Sequence, residues 1–223
     1  MVSCGASHMA FVTVKGNVHL LGDWKNDETQ ELLFQENNIK DPISLGNNLS
    51  LMTASGREHT LIVTVDGKVL SFGHSANGKL GLDLLHDVRI PTAIPKFGTT
   101  HKVLMAACGA HHSASITECG LLWTWGLAWY GRLGHGDEVT RSEPTPVDKA
   151  FQGERVTFVA CGFEHTACVC EGLLYQCGQG RDGRLGLGDM DNRLAPSVVR
   201  GGDLADVEVT QVVCLLIPNT LST

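Results

Sequence analysis

The sequence predicts an all-β propeller of about four blades, and three observations carry that reading. One set of elements recurs at a long period: the Gly of a Gly-x-x-His element stands at Gly5, Gly56, Gly109 and Gly162, so the intervals are 51, 53 and 53 residues. Each period holds short runs of strand-favouring residues separated by Gly turns, with no convincing long helix. A unit of this length built from strands and tight turns reads as a propeller blade, because each unit can bury its apolar face only by stacking on the next.

The elements keep one order. The repeated histidines are His8, His59, His112 and His165, and the Gly closing each later apolar run is Gly22, Gly73, Gly126 and Gly178. A Gly-basic-Leu-Gly element ends at Leu80-Gly81, Leu133-Gly134 and Leu185-Gly186, and is missing from the first copy. The repeats run at about 2–51, 52–104, 105–156 and 157–206 within one domain over 1–223, and 207–223 begins a fifth.

In the first copy Phe11 to Val14 and Val18 to Leu21 are strands flanking Lys15-Gly16. Residues 23–51 are polar and acidic, either a degenerate repeat end or an exposed insertion, with a short helical turn expected at Glu31 to Phe34. In the second, Thr60 to Val65 is rich in β-branched residues, which suit a packed, pleated surface. Asp66-Gly67 follows, a strong hairpin signal because its favoured turn needs positive φ, and Lys68 to Phe72 returns. The third pairs Ser113–Thr117 with Leu121–Trp125 across Cys119-Gly120, and the fourth pairs Thr166–Cys170 with Leu173–Cys177 across Glu171-Gly172. Val207 to Cys214 aligns with Val156 to Cys161, after which the expected Gly is Leu215 and the expected His is Pro218.

Composition narrows the function classes. Net charge is −7 with no long basic run, which argues against direct nucleic-acid contact, since phosphate binding needs clustered Lys and Arg. No apolar stretch reaches the length of a membrane span, and the N-terminus lacks the basic and apolar regions of a signal peptide. Asn48-Leu49-Ser50 matches a glycosylation acceptor, which matters only in a secreted chain. Of the eight cysteines, Cys4, Cys108 and Cys161 precede the repeated Gly, where the second copy has Ser55. The slot asks for a small buried residue, so free thiols in a cytoplasmic or nuclear protein are expected.

The same residues invite metal and nucleotide readings. Cys4/His8, Cys108/His112 and Cys161/His165 are each separated by three residues, but each pair belongs to its own blade, whereas a closed zinc site needs four ligands together. No metal and no cofactor are expected. The histidines are structural, with a ring nitrogen expected to bond backbone at the inner turn. Gly178-Gln179-Gly180-Arg181-Asp182-Gly183 matches Gly-x-Gly-x-x-Gly, yet no helix is expected after it. No recurring nucleophile, base and acid set appears, so no catalytic residue is proposed.

The motifs resemble those of the family named for the regulator of chromosome condensation, the RCC1-like repeats. The residues that carry this are Cys161-Gly162-Phe163-Glu164-His165-Thr166, Leu122 to Gly126 and Tyr130-Gly131-Arg132-Leu133-Gly134-His135-Gly136-Asp137. A kelch repeat would instead show a Gly-Gly pair in each period, and a WD repeat would end in Trp-Asp. The resemblance implies a seven-bladed propeller of four-stranded blades, of which about four copies make a partial ring or a fragment, and an open arc is expected to be marginal alone, to self-associate, or to belong to a longer polypeptide. It also implies three functions: a non-catalytic protein-interaction module, an exchange factor for a small Ran-type GTPase, or the partner-binding propeller region of a HERC-like ubiquitin ligase. The exchange reading would use Asp27, Glu28 and Glu31. The module reading rests on residues that vary between copies in otherwise uniform loops: Arg57, Glu58, His111, Phe163 and Glu164, with Trp129 and Tyr130 as aromatic anchors. In light-sensing members of the family, the slot after the repeated Gly often holds Trp. Here it holds Ala6, Arg57, Ala110 and Phe163, so light sensing is not expected.

Overall fold

Each Gly turn folds one hairpin, and each hairpin gains a strand on either side. The computed structural model describes residues 1–25, 32–36, 42–200 and 207–215. Among them stand four antiparallel sheets of four strands. The first is β1 (Val2–Cys4), β2 (His8–Val12), β3 (Val18–Lys25) and β4 (Leu32–Glu36). The second is β5 (Ser50–Ser55), β6 (His59–Thr64), β7 (Val69–Gly73) and β8 (Val88–Ala93). The third is β9 (Val103–Cys108), β10 (His112–Thr117), β11 (Leu122–Gly126) and β12 (Arg141–Pro146). The fourth is β13 (Val156–Cys161), β14 (His165–Cys170), β15 (Leu173–Gly178) and β16 (Arg193–Val198). Sequence order equals spatial order in every sheet. This is the all-β blade architecture expected.

Two local expectations change. The helical turn expected at Glu31 to Phe34 is a strand over its described part: Leu32–Glu36 pairs with β3, Phe34 opposite Trp24. Strand pairing outweighs the local pattern there, because the three-residue apolar run Leu32 to Phe34 is too short to hold a helix. Asp27, Glu28 and Glu31 lie outside the described residues. The hairpin turns sit at the expected glycines, with φ of 78°, 83°, 83° and 73° at Gly16, Gly67, Gly120 and Gly172. Only Glu171-Gly172 has positive φ at both residues. The other three are three-residue loops, for instance Val65-Asp66-Gly67 between Thr64 and Lys68, whose N–H and C=O groups bond across. A type I turn completed by a left-handed Gly gives this form.

The core lies between blades. One apolar cluster joins Leu61, Val63 and Phe97 of blade 2 to Val103, Trp123 and Trp125 of blade 3. Others join Ala10, Val18 and Leu20 to Ile62 and Phe72, and Ala114 and Ile116 to Val159, Cys168 and Cys170. No blade can bury these residues alone, so blade stacking supplies the hydrophobic stabilisation. The small-residue slot is buried at Ser55, Cys108 and Cys161 but exposed at Cys4. Residues 207–215 continue the series without becoming a paired strand: Val209 N–H donates to the Gly172 carbonyl at 2.8 Å, as Val156 does to Gly120 and Val103 to Gly67. The register is therefore Val209 to Cys214 on Val156 to Cys161.

The repeated histidines correct the expectation of a backbone partner. Three of them cross to the next blade, where Nε2 meets a hydroxyl: His8 with Thr60 Oγ1 at 2.8 Å, His59 with Ser113 Oγ at 2.8 Å, His112 with Thr166 Oγ1 at 2.9 Å. Ser113 and Thr166 donate their protons onward to the carbonyls of Lys79 and Arg132, so these hydroxyls accept from His and the ring proton sits on Nε2. The imidazole lies against its own repeat Gly. A Cβ at Gly56 would sit 2.5 Å from His59 Cε1 and 2.5 Å from the Gly109 carbonyl oxygen, which is why that position is Gly. Ser113→Ala is expected to cost about 1–3 kcal/mol, since it orphans a buried N–H, while Ser113→Thr is tolerated. Urea unfolding of the two variants checks this, and equal midpoints for Ser113→Ala and the parent chain would contradict it.

Candidate functional site

Two sets of loops meet at one end of the blade arc. One is the Gly-x-x-His turn between first and second strands; the other is the long connection between third and fourth strands. They are joined by the same bond in three blades: His74 N–H to the Glu58 carbonyl at 2.8 Å, Leu127 to His111 at 2.9 Å, and Gln179 to Glu164 at 3.0 Å. The structure thus brings the variable residues of blades 2 to 4 onto one end.

The cation of Gly-basic-Leu-Gly organises this end, a role its sequence motif does not announce. Lys79 and Arg132 are fully buried, and Arg184 is half-buried. Lys79 Nζ donates to Glu58 Oε2 at 2.9 Å and to His74 Nδ1 at 3.2 Å. An ammonium only donates, so His74 accepts on Nδ1 and carries its proton on Nε2, which lies 3.9 Å from Asp87 Oδ1. Burial lowers the Lys79 pKa, and the Glu58 carboxylate opposes that shift. Glu58, expected on the open face, is itself buried and is held by Lys79.

Arg132 gathers four of the other expected residues. Its Nε donates to the Trp129 carbonyl at 3.0 Å and its Nη1 to the Phe163 carbonyl at 3.4 Å. Nη2 lies 3.6 Å from Glu164 Oε1, and the guanidinium stands 5.7 Å from the Tyr130 ring centroid. Glu164 also faces Arg184 Nη1 at 3.5 Å. His111 packs edge-on against Phe163, with centroids 6.0 Å apart. Burial, with the charges of Lys79, Arg57 and Arg132, pulls its pKa down to about 4, so His111 is a neutral, half-apolar surface at pH 7. Arg57 is half-exposed. Trp123 and Trp125 belong to the core, whereas Trp129 is 59 % exposed.

Trp129 and Tyr130 are presented by a short 3-10 turn, Trp129–Gly131, with Tyr130 at φ 64°. The matching residues are Asn77 at 62° and Asp182 at 61°. Asn and Asp tolerate this region, while a bulky residue is strained there by about 1–2 kcal/mol. The same turn follows Gly178 to Gly180 where a nucleotide motif would need a helix. Tyr130→Asn is expected to stabilise the chain by about 1 kcal/mol by relieving that strain. An unchanged or lowered melting temperature would contradict this.

Sequence reasoning missed Lys79, Arg132, Arg184 and His74. A signal was present: Glu precedes the repeat His only in copies two and four, and both glutamates turn out to meet Gly-basic-Leu-Gly cations. Among the described residues no group of three His, Cys, Asp or Glu could hold a metal ion, and no helix is long and apolar enough to cross a membrane.

Residues 66–116, 120–169 and 171–214 match the regulator of chromosome condensation (RCC1) repeat, more than half of the chain. The chain belongs to the RCC1 repeat family. The first two matched copies begin at one blade's second hairpin and end in the next blade's second strand, and the third runs from the fourth blade's second hairpin to Cys214, so each copy continues past the end of its blade. The chain is similar to the ultraviolet-B receptor UVR8 of Arabidopsis thaliana, 42% identical over 144 residues, which is 64% of this chain and 32% of that protein. It is also similar to the human E3 ubiquitin-protein ligase HERC2, 37% identical over 195 residues, 84% of this chain and 4% of that protein. Among solved structures, human WBSCR16 aligns with a TM-score of 0.81 at 26% identity, covering 97% of this chain and 55% of that one. Yeast RCC1 (Prp20), solved bound to Kap60, aligns with a TM-score of 0.79 at 23% identity, covering 97% and 52%. The chain therefore spans a minor part of these curated relatives and about half of each of these solved chains.

Proposed function

We propose that this RCC1-repeat chain is a non-catalytic protein-interaction module that acts in the cytoplasm or nucleus and binds its partner through the loop end of blades 2 to 4. The supporting observation is the Arg132 cluster: an exposed Trp129, held on a strained turn, stands with Tyr130, Phe163 and Glu164 around one buried guanidinium, and His111 packs on Phe163. A large aromatic with little freedom to lose, on a rigid scaffold, is the anchor that protein interfaces use. The neutral His111 and the half-exposed Arg57 add polar contacts around it.

The reading is tested by capture and exchange assays run together. Release of labelled GDP from a Ran-type GTPase is measured with and without the purified chain. In parallel, a partner captured by the parent chain is re-tested with Trp129→Ala and with the pair Arg57→Ala and Phe163→Ala. The expected result is unchanged GDP release and at least a tenfold weaker partner affinity in the variants. Accelerated release would instead make the chain an exchange factor and overturn the module reading.

A further inference from the structure

The connections between third and fourth strands carry a second feature, further out on the same end. Asp83, Gly136 and Gly188 occupy one position in successive loops, all with positive φ, at 52°, 85° and 85°. Two residues on stand Leu85, Glu138 and Met190. Leu85 is 102 % exposed and Met190 71 %, and Glu138 is exposed between them.

These loops are stitched into one rim. Asp83 N–H donates to the Ser142 carbonyl at 3.3 Å, and Ser142 Oγ donates to Asp83 Oδ1 at 2.6 Å. One blade on, Gly136 N–H donates to the Leu194 carbonyl at 2.8 Å, the same contact at the corresponding residue. Glu138 Oε1 accepts the Tyr130 N–H at 2.6 Å, which sets its carboxylate at the turn that presents Trp129. Exposed apolar side chains in single positions are ordinary, but two at equivalent positions of bonded loops, flanking a carboxylate, make a surface.

Charge then selects the occupant. The arginines that open two of the fourth strands beside this rim are paired by their own neighbours, Arg141 with Asp137, both nitrogens at 2.9 Å, and Arg193 with Asp189, and Arg181 and Arg184 of the last connection both face Asp182. Glu138, Glu143 and Asp191 remain in excess, so the rim is acidic around its apolar pair. A carboxylate beside an exposed indole face suits a cation, by Coulomb attraction and by cation–π contact.

We propose that this outer rim binds an extended protein segment in which a Lys or Arg lies between two apolar residues: the cation on Glu138 and Trp129, the apolar side chains on Leu85 and Met190. This rests on the interaction-module reading and specifies the partner's chemistry.

The test uses a fluorescein-labelled peptide of alternating Leu and Arg, with two counterparts carrying Glu for Arg or Ser for Leu. Anisotropy titrations are run on the parent chain, on Glu138→Lys, on Leu85→Ser with Met190→Ser, and on Glu118→Lys. Glu118 is exposed on a hairpin at the opposite end, so its variant makes the same change in net charge away from the rim. The expected result is binding of the Leu/Arg peptide only, weakened at least tenfold by Glu138→Lys and by the Leu85/Met190 pair, and unchanged by Glu118→Lys. Equal loss with Glu118→Lys, or binding that ignores the rim variants, would overturn the proposal. Because Arg57 and Phe163 lie off this rim, a partner lost on replacing them but kept by the rim variants would leave the module reading standing and refute this one.

Discussion

Lowering the pH from 7 towards 4 is expected to unfold the chain progressively, because a row of histidines must stay neutral to hold the blades together. Burial holds His59 and His112 well below the ordinary histidine pKa, and brings His8 and His165 down to about 4. The geometry explains why. In His59 and His112, Nε2–H is committed to the next blade's hydroxyl, and Nδ1 is buried without a hydrogen-bond partner. A second proton would enter on Nδ1 against the repeat Gly, where nothing accepts it. The sign follows from proton counting. Above about pH 6.5, folded and unfolded chains both hold neutral imidazoles, and the histidines do not affect stability. Below it the unfolded chain takes up protons that the folded chain refuses, so stability falls with pH until the folded pKa is reached. Each such histidine contributes up to about 1.4 kcal/mol per pH unit in that window, and several act together. Asp137, held at about 2 by Arg141, loses its contribution only below pH 3.8 and stays outside the window. Urea midpoints measured at pH 7, 6 and 5 should fall steadily, and less steeply in His112→Asn. A midpoint that is flat across this range would refute the account.

Lys79→Ala is expected to destabilise the chain by about 3–5 kcal/mol, because it strips a buried carboxylate of its cation. The Lys79 side chain is wholly buried and that of Glu58 is 10 % exposed. Both charges were therefore desolvated on folding, and their attraction offsets that cost only while both are present. Glu58→Gln alone should also destabilise, since the ammonium then remains with weaker acceptors. The double variant Lys79→Met with Glu58→Gln should lose less than the sum of the two single losses, because no buried charge is left behind. Chemical denaturation of the four chains measures this coupling. Strictly additive losses would show that the pair does not act as a unit.

The periodicity made the blades legible in advance. Gly16, Gly67, Gly120 and Gly172 mark four hairpins because a left-handed backbone is available to Gly without a steric cost, and alternating apolar runs can only become half-buried strands. The variable positions of the Gly-x-x-His turns were readable for the same reason: what a scaffold does not need stands out against what it repeats. Less was readable wherever two blades meet. His59 and Ser113 are 54 residues apart, and a sequence names an imidazole without naming its acceptor, so a backbone partner was expected and a hydroxyl was found. The helical turn expected near Leu32 gave way to a strand because β3 offered a ladder that local propensity cannot see.

The same division holds at the candidate site. That Arg57, His111 and Phe163 share one end followed from repeat register, since equal positions in stacked units lie side by side. That Glu58 is turned inward by Lys79, and that Arg132 draws Trp129, Tyr130, Phe163 and Glu164 around one guanidinium, was settled only when neighbouring blades closed over those cations. Burial changes what a charge must do. On an open loop Lys or Arg is satisfied by water, but beneath the next blade it must find carboxylates and carbonyls within hydrogen-bond reach, and only the packed blades decide which ones are there.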